Sequence, residues 1–243
     1  MMRFKVPILI AAVFCVFFAA SCFAEEDILT VAEKSGQVLV KIYPSADWTD
    51  ATTGQALKPQ DSIKTEAKSN AILAFPDKSS YSLKPLTEIT IEELSWDQKM
   101  RKSIISMNEG ELRVIIKKLD TPSEFKVKTP TAICGARGCI YYILSRAIRT
   151  RVYVTEGIVE LINTASGTSY DVVEGMTATS NADGTVSQPQ EPPAEEKAAV
   201  TSGYDTGMVA EPYTEPERLE PGAAAADEVA APEVTQENTA SRI

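Results

Sequence analysis

The sequence predicts an all-β domain built from many short strands. Three observations carry that prediction. Between residues 32 and 178, apolar runs give way to turn residues every eight to twelve positions. Within the runs, apolar and polar residues alternate with a period of two and β-branched residues are frequent. No stretch shows a sustained helical stripe, and the runs are too short and too many for strands joined by helical crossovers.

The elements follow in chain order. Residues 38–42 (Val-Leu-Val-Lys-Ile) form the first strand, and residues 62–65 alternate polar with apolar. Residues 71–75 close on Pro76-Asp77, a turn signal. Residues 88–92 alternate cleanly, and residues 95–105 are read as holding a short helical turn. Residues 112–116 follow Glu109-Gly110, and residues 125–129 alternate again. Residues 140–144, 151–155, 158–162 and 170–173 complete the set.

The two ends differ from this middle. Arg3 and Lys5 precede an uncharged apolar run over residues 7–20, and Cys22-Phe23-Ala24 sets small residues at −3 and −1 before Glu25. That is the pattern of a secretory signal peptide, read over residues 1–24, with residues 25–35 leading into the domain. The run is shorter than the roughly 20 residues of a membrane span. Two other readings stay open: an uncleaved anchor, and a lipoprotein signal in Ala19-Ala20-Ser21-Cys22 with Cys22 lipidated. The chain is therefore expected to be exported, to a bacterial periplasm or the cell exterior. It would touch membrane only through a lipidated Cys22 or a retained signal.

The net charge is −10. From Asp183 onward there are 13 acidic and three basic residues, so the rest of the chain is neutral. The same end holds seven of the 14 prolines. Such a composition buries too little surface to offset chain entropy, so residues 179–243 are expected to be a disordered acidic Pro/Ala-rich tail. Histidine is absent. That removes a Ser-His-Asp triad, a Cys-His pair and any His-ligated zinc or haem. The acidic balance argues against nucleic acid as a partner.

Cys15 and Cys22 belong to the export signal, which leaves Cys134 and Cys139. In an oxidising compartment two thiols this close are expected to pair, and Gly135 and Gly138 would permit the tight turn a disulfide needs. Two free buried thiols and a redox-active pair are the other readings.

Read in order, the landmarks resemble the FecR-like domain of bacterial envelope proteins. They are Gly36-x-Val38, Trp48, Gly54-x-x-Leu57-x-x-x-Asp61-x-Ile63-x-Thr65, Asp77-x-Ser79, Glu109-Gly110-x-Leu112 and Glu156-Gly157-x-Val159. The most distinctive stretch is Thr129-Pro130-Thr131-Ala132-x-x-Gly135-x-Arg137-Gly138. The resemblance covers residues 36–178. It implies a single β-solenoid-like or sandwich-like domain. Where the family usually has Asp-Gly-Ser, this chain has Lys78 in the middle. Where it usually has Thr after Arg-Gly, this chain has Cys139, which suggests a disulfide added to a known turn. Signalling members carry a cytoplasmic anti-sigma segment, whereas about two dozen residues of export signal precede the domain here.

Site residues follow from both readings. Arg137 is expected to hold turn carbonyls and a carboxylate, the other role being a partner contact through its five donors. Gly135 and Gly138 are expected to supply backbone conformations that a side chain forbids, and Pro130 to fix an edge or turn. Trp48 is read mainly as a cap on the core, with sugar stacking as the other role. Arg146, Arg149 and Arg151 form the one basic patch, a strand guard or a partner contact. Glu109, Glu111, Glu156 and Glu160 offer carboxylates, but nothing selects a glycosidase pair among them. No catalytic residue, metal or cofactor is assigned. The function expected is a non-enzymatic exported binding or scaffolding module of the cell envelope. The alternative is a FecR-like sensor relaying an envelope signal to a separate membrane regulator. The partner is an envelope or membrane protein, with peptidoglycan or another glycan as a further candidate.

Overall fold

In a computed structural model, the structure describes residues 28–97, 100–118, 122–195 and 197–198. The export signal and residues 199–243 of the acidic tail lie outside these. The described residues form seventeen strands in two sheets. They are β1 (Leu29–Ser35), β2 (Val38–Lys41), β3 (Thr49–Asp50), β4 (Ala56–Leu57), β5 (Ser62–Thr65) and β6 (Asn70–Ala74). Next come β7 (Ser80–Leu83), β8 (Glu88–Trp96), β9 (Arg101–Met107), β10 (Gly110–Ile115), β11 (Ser123–Lys128) and β12 (Ala132–Ala136). The last are β13 (Ile140–Arg146), β14 (Arg149–Glu156), β15 (Ile158–Asn163), β16 (Ser169–Val173) and β17 (Thr177–Asn181). Sheet A runs β17-β14-β13-β10-β7-β6-β1-β4, and sheet B runs β16-β15-β12-β11-β9-β8-β5-β2-β3. All pairings are antiparallel except β9 with β11.

The chain passes back and forth between the sheets, and most strands turn alternate residues into one shared core. In β10 the pattern is strict: Leu112 and Val114 are buried, and Glu111, Arg113 and Ile115 half-buried. Aromatic rings cross the layers. Phe75 stacks on Trp96 at 5.0 Å and meets Tyr81 and Phe125 edge-on at 5.3 and 5.6 Å. Beside them Arg101 of β9 forms an ion pair with Asp77 of the β6–β7 turn. Asp77 also accepts from Ser79 N–H at 2.8 Å and Ser79 Oγ–H at 3.0 Å. Lys78 sits between them at φ 69°, in the left-handed region where a glycine costs nothing. Ser79 Oγ in turn accepts from Lys117 N–H at 2.9 Å.

The structure departs from the sequence reading in three places. The helical turn expected over residues 95–105 is instead a β-hairpin, with β8 and β9 paired from Ile89–Met107 to Trp96–Arg101 and a register shift between Ile91 and Glu93. Seven residue pairs along the hairpin outweigh weak local propensity. The glycine-rich stretch after Pro130 is also a strand, β12, since only Thr129 to Thr131 make the turn. Lastly, the ordered chain runs past the boundary expected at residue 178. β17 continues to Asn181, and residues 185–190 fold back along it, with Ser187 N–H donating to Thr179 O at 2.8 Å and Thr177 bridging Gln190. Those residues satisfy backbone groups that the edge of sheet A would otherwise expose.

Candidate functional site

The Thr129-Pro130-Thr131 turn joins β11 to β12 and is bolted to the other sheet by hydroxyls. Thr129 Oγ1 lies 2.7 Å from Thr150 Oγ1, and Thr131 Oγ1–H donates to Thr150 Oγ1 at 2.8 Å. Ser180 Oγ–H donates to Thr131 O at 2.7 Å, and Asn163 Nδ2–H to Ser180 Oγ at 2.8 Å. Buried polar groups need partners, and these satisfy one another. Pro130 sits exposed at the apex, where no ladder donor is required.

The two motif glycines have different roles. Gly138 has φ 62°, and a Cβ there would lie 2.9 Å from Lys118 Cβ, so a side chain there would be strained. Gly135 differs. It lies within β12, it is not among the residues with positive φ, and a Cβ would meet only Glu160 Oε2 at 3.8 Å. Neither backbone nor space demands a glycine. Its effect is to leave a trough on the outer face of sheet B, between β11 and β15. The trough is part of an open groove of about 380 Å³. Lys126 and Glu124 wall one side, Glu160 and Asp171 the other, and Arg137 and Ile158 stand at one end.

The charges there are arranged rather than scattered. Lys126 Nζ lies 2.6 Å from Glu124 Oε1, and Lys102 Nζ 3.6 Å from Glu124 Oε2. The hydrogen bond from Lys126 is the main cause that holds the Glu124 carboxyl below its ordinary value. Arg137 corrects the sequence reading. It is exposed, and among the described residues its guanidinium has no ion pair. A turn needs no side-chain clamp where Gly138 already supplies the conformation. The five donors are presented to solvent at the mouth of the groove.

The other expected residues lie elsewhere. Trp48 is not in the core. It sits half-buried beside β3, at the far edge of sheet B, with Lys41 Nζ 4.8 Å and Lys64 Nζ 4.9 Å from its ring centre. The tryptophan that packs against the core is the half-buried Trp96. Arg146, Arg149 and Arg151 lie on the outer face of sheet A, on the opposite layer from the groove. Arg146 Nη2 is 3.6 Å from Glu111, and Arg151 Nε–H donates to Thr179 Oγ1 at 3.1 Å. Glu111 and Glu160 likewise face away from each other on different sheets. Arg113, which sequence reasoning missed, completes the arginine face at 5.6 Å from the Tyr142 ring.

Cys134 and Cys139 are free, buried thiols, which corrects the expected disulfide. β12 holds Cys134 extended, while Cys139 has crossed to sheet A, where its carbonyl accepts from Ile116 N–H at 2.9 Å. The tight turn is confined to Arg137-Gly138 and does not span both cysteines. Burial pushes both thiols up to about 12. Among the described residues no group of acidic or cysteine side chains could hold a metal ion.

With this geometry in place, residues 61–160 match the FecR protein family. That stretch is similar to the FecR family. The match opens at Asp61, on β5, and ends at Glu160, on β15, so strands from both ends of the chain complete the two sheets around it. Two solved structures of a candidate anti-sigma factor from Parabacteroides distasonis are similar. One has 16% identity and a TM-score of 0.46 over 57% of this chain and 63% of that chain. The other has 17% identity and a TM-score of 0.47 over 57% and 62%. The chain thus spans less than two thirds of either. No curated protein matches.

Proposed function

We propose that this FecR domain is an exported envelope signalling module that receives or passes its signal by protein contact at the outer face of sheet B, with a separate membrane regulator as the partner. The family match over residues 61–160 carries the signalling part of the reading. The groove supports the contact surface. An unclamped arginine, a glycine trough that neither backbone nor packing requires and a mixed-charge wall are features a recognition site uses and a purely structural turn does not.

The test is a photo-crosslinking amino acid at position 137 of the full chain, expressed in its native envelope. Mass spectrometry of the crosslinked species is expected to identify an integral-membrane regulatory protein. Crosslinks confined to surface-assembly proteins would replace signalling with scaffolding. The absence of any specific crosslink would remove position 137 from the contact surface.

A further inference from the structure

The two sheets have four edges, and the fold treats one of them differently. β3 and β4 end their sheets with two residues each. β17 is covered by residues 185–190. β16 is five residues long, and among the described residues nothing pairs with its outer side. Proteins usually shorten or cover such edges.

The register shows what β16 presents. Asn163 N–H donates to Thr168 O at 2.9 Å, and β15 and β16 pair from Ile162–Ser169 to Ile158–Val173. Antiparallel pairs alternate between exchanging and non-exchanging. Leu161–Tyr170 and Val159–Val172 therefore exchange backbone hydrogen bonds. Ser169 and Asp171 turn both N–H and C=O outward, and Val173 turns its N–H outward, its carbonyl being used by Met176 N–H at 3.1 Å.

The side chains on the same stretch are unusual for a finished edge. Ile158 and Val173 face each other across the pair and are 54% and 42% exposed. Asp171 faces Glu160 in the closer, non-exchanging pairing, which sets two carboxylates side by side on the outer face. Among the described residues no cation pairs with either. Self-pairing of two β16 edges about Asp171 would add a third and fourth carboxylate. The surface calls for a basic neighbour and an aliphatic one.

We infer that β16 accepts an extended segment of a partner protein as a further strand of sheet B. In that segment an aliphatic residue lies beside Val173 and a lysine or arginine, two positions away, beside Asp171. This inference rests on the protein-contact reading above and names the chemistry of the partner.

The test uses the full chain with two synthetic peptides, one alternating valine with lysine and one alternating valine with glutamate. Amide hydrogen exchange is read by NMR. The lysine peptide is expected to slow exchange at Ser169 and Asp171 about tenfold, and the glutamate peptide to leave it unchanged. Asp171→Pro removes an outward N–H without touching the β15 ladder and is expected to abolish the effect. Asp171→Lys keeps the N–H and is expected to reverse the preference, so a misfolded proline variant does not shield the proposal. Equal protection by both peptides, protection by neither, or amides already protected in the chain alone would overturn it. Crosslinking at position 137 can succeed or fail independently, so loss of this edge is distinguishable from loss of the signalling reading.

Discussion

Arg101→Met breaks the ion pair that ties sheet B to the β6–β7 turn of sheet A. Both side chains are almost sealed, at 4% exposure for Arg101 and 9% for Asp77. Removing one member of a buried pair leaves the other charge uncompensated and typically costs about 3–5 kcal/mol. Asp77 keeps its bonds from Ser79, so the cost falls near the lower figure, about 3 kcal/mol. With a urea slope of about 2 kcal/mol/M, the unfolding midpoint drops by about 1.5 M. Trp96 is a built-in probe, because the Arg101 guanidinium lies 5.5 Å from its ring. Asp77→Asn removes the charge but preserves much of the shape. The double variant is expected to lose less than the sum of the two single losses, by about 1 kcal/mol or more. An Arg101→Met loss below about 1 kcal/mol, or strict additivity, would refute the claim that this pair pins the sheets.

Three further outcomes are expected. Lys78→Gly releases a left-handed residue and should raise the thermal midpoint, with a net gain of up to about 1 kcal/mol after glycine's chain entropy; a lower midpoint would show that φ 69° is not strained here. Gly135→Ala should be neutral or gain about 0.5 kcal/mol, whereas Gly138→Ala should lose about 1–2 kcal/mol, and equal effects in denaturant titrations would dissolve the distinction between them. Cys134 and Cys139 should resist alkylation at pH 8 until urea unfolds the chain. Because folding raises both thiols from 9.0 to about 12, their stabilising contribution is complete below about pH 9 and fades as pH rises towards 12. A native mass two hydrogens short of the dithiol form would establish the disulfide instead.

Much of the fold was legible in the residues. Strands β2, β5, β6, β10, β11 and β13 to β16 all coincide with alternating or apolar runs, since an inward–outward period of two is a local property. The strands that were missed are short, polar or irregular for identifiable reasons. β12 contains Gly135 and follows Thr-Pro, β7 (Ser-Tyr-Ser-Leu) alternates over only four residues, and β17 is Thr-Ala-Thr-Ser-Asn, whose buried Ser180 hydroxyl is bonded across the sheets. β9 exposes little alternation because Ser103, Ile104 and Ile105 are all buried. The candidate site was legible only in part. Arg137, Gly135 and Gly138 were singled out, but their roles depend on which face of β12 looks outward and where the turn begins.

By itself the sequence determined the all-β class, the turn punctuation, the acidic end and the resemblance to FecR-like domains, because composition, periodicity and motif spacing are written along one chain. Only the tertiary structure decided which strands share a sheet, and with them everything that depends on two distant segments. It placed Trp48 between Lys41 and Lys64 outside the core and set Cys134 and Cys139 apart as free thiols. It moved the arginine face to the layer opposite the groove and, among the described residues, left β16 as an open edge. Periodicity fixes the face a residue occupies, whereas partners across a sheet are set by register, which no local pattern encodes.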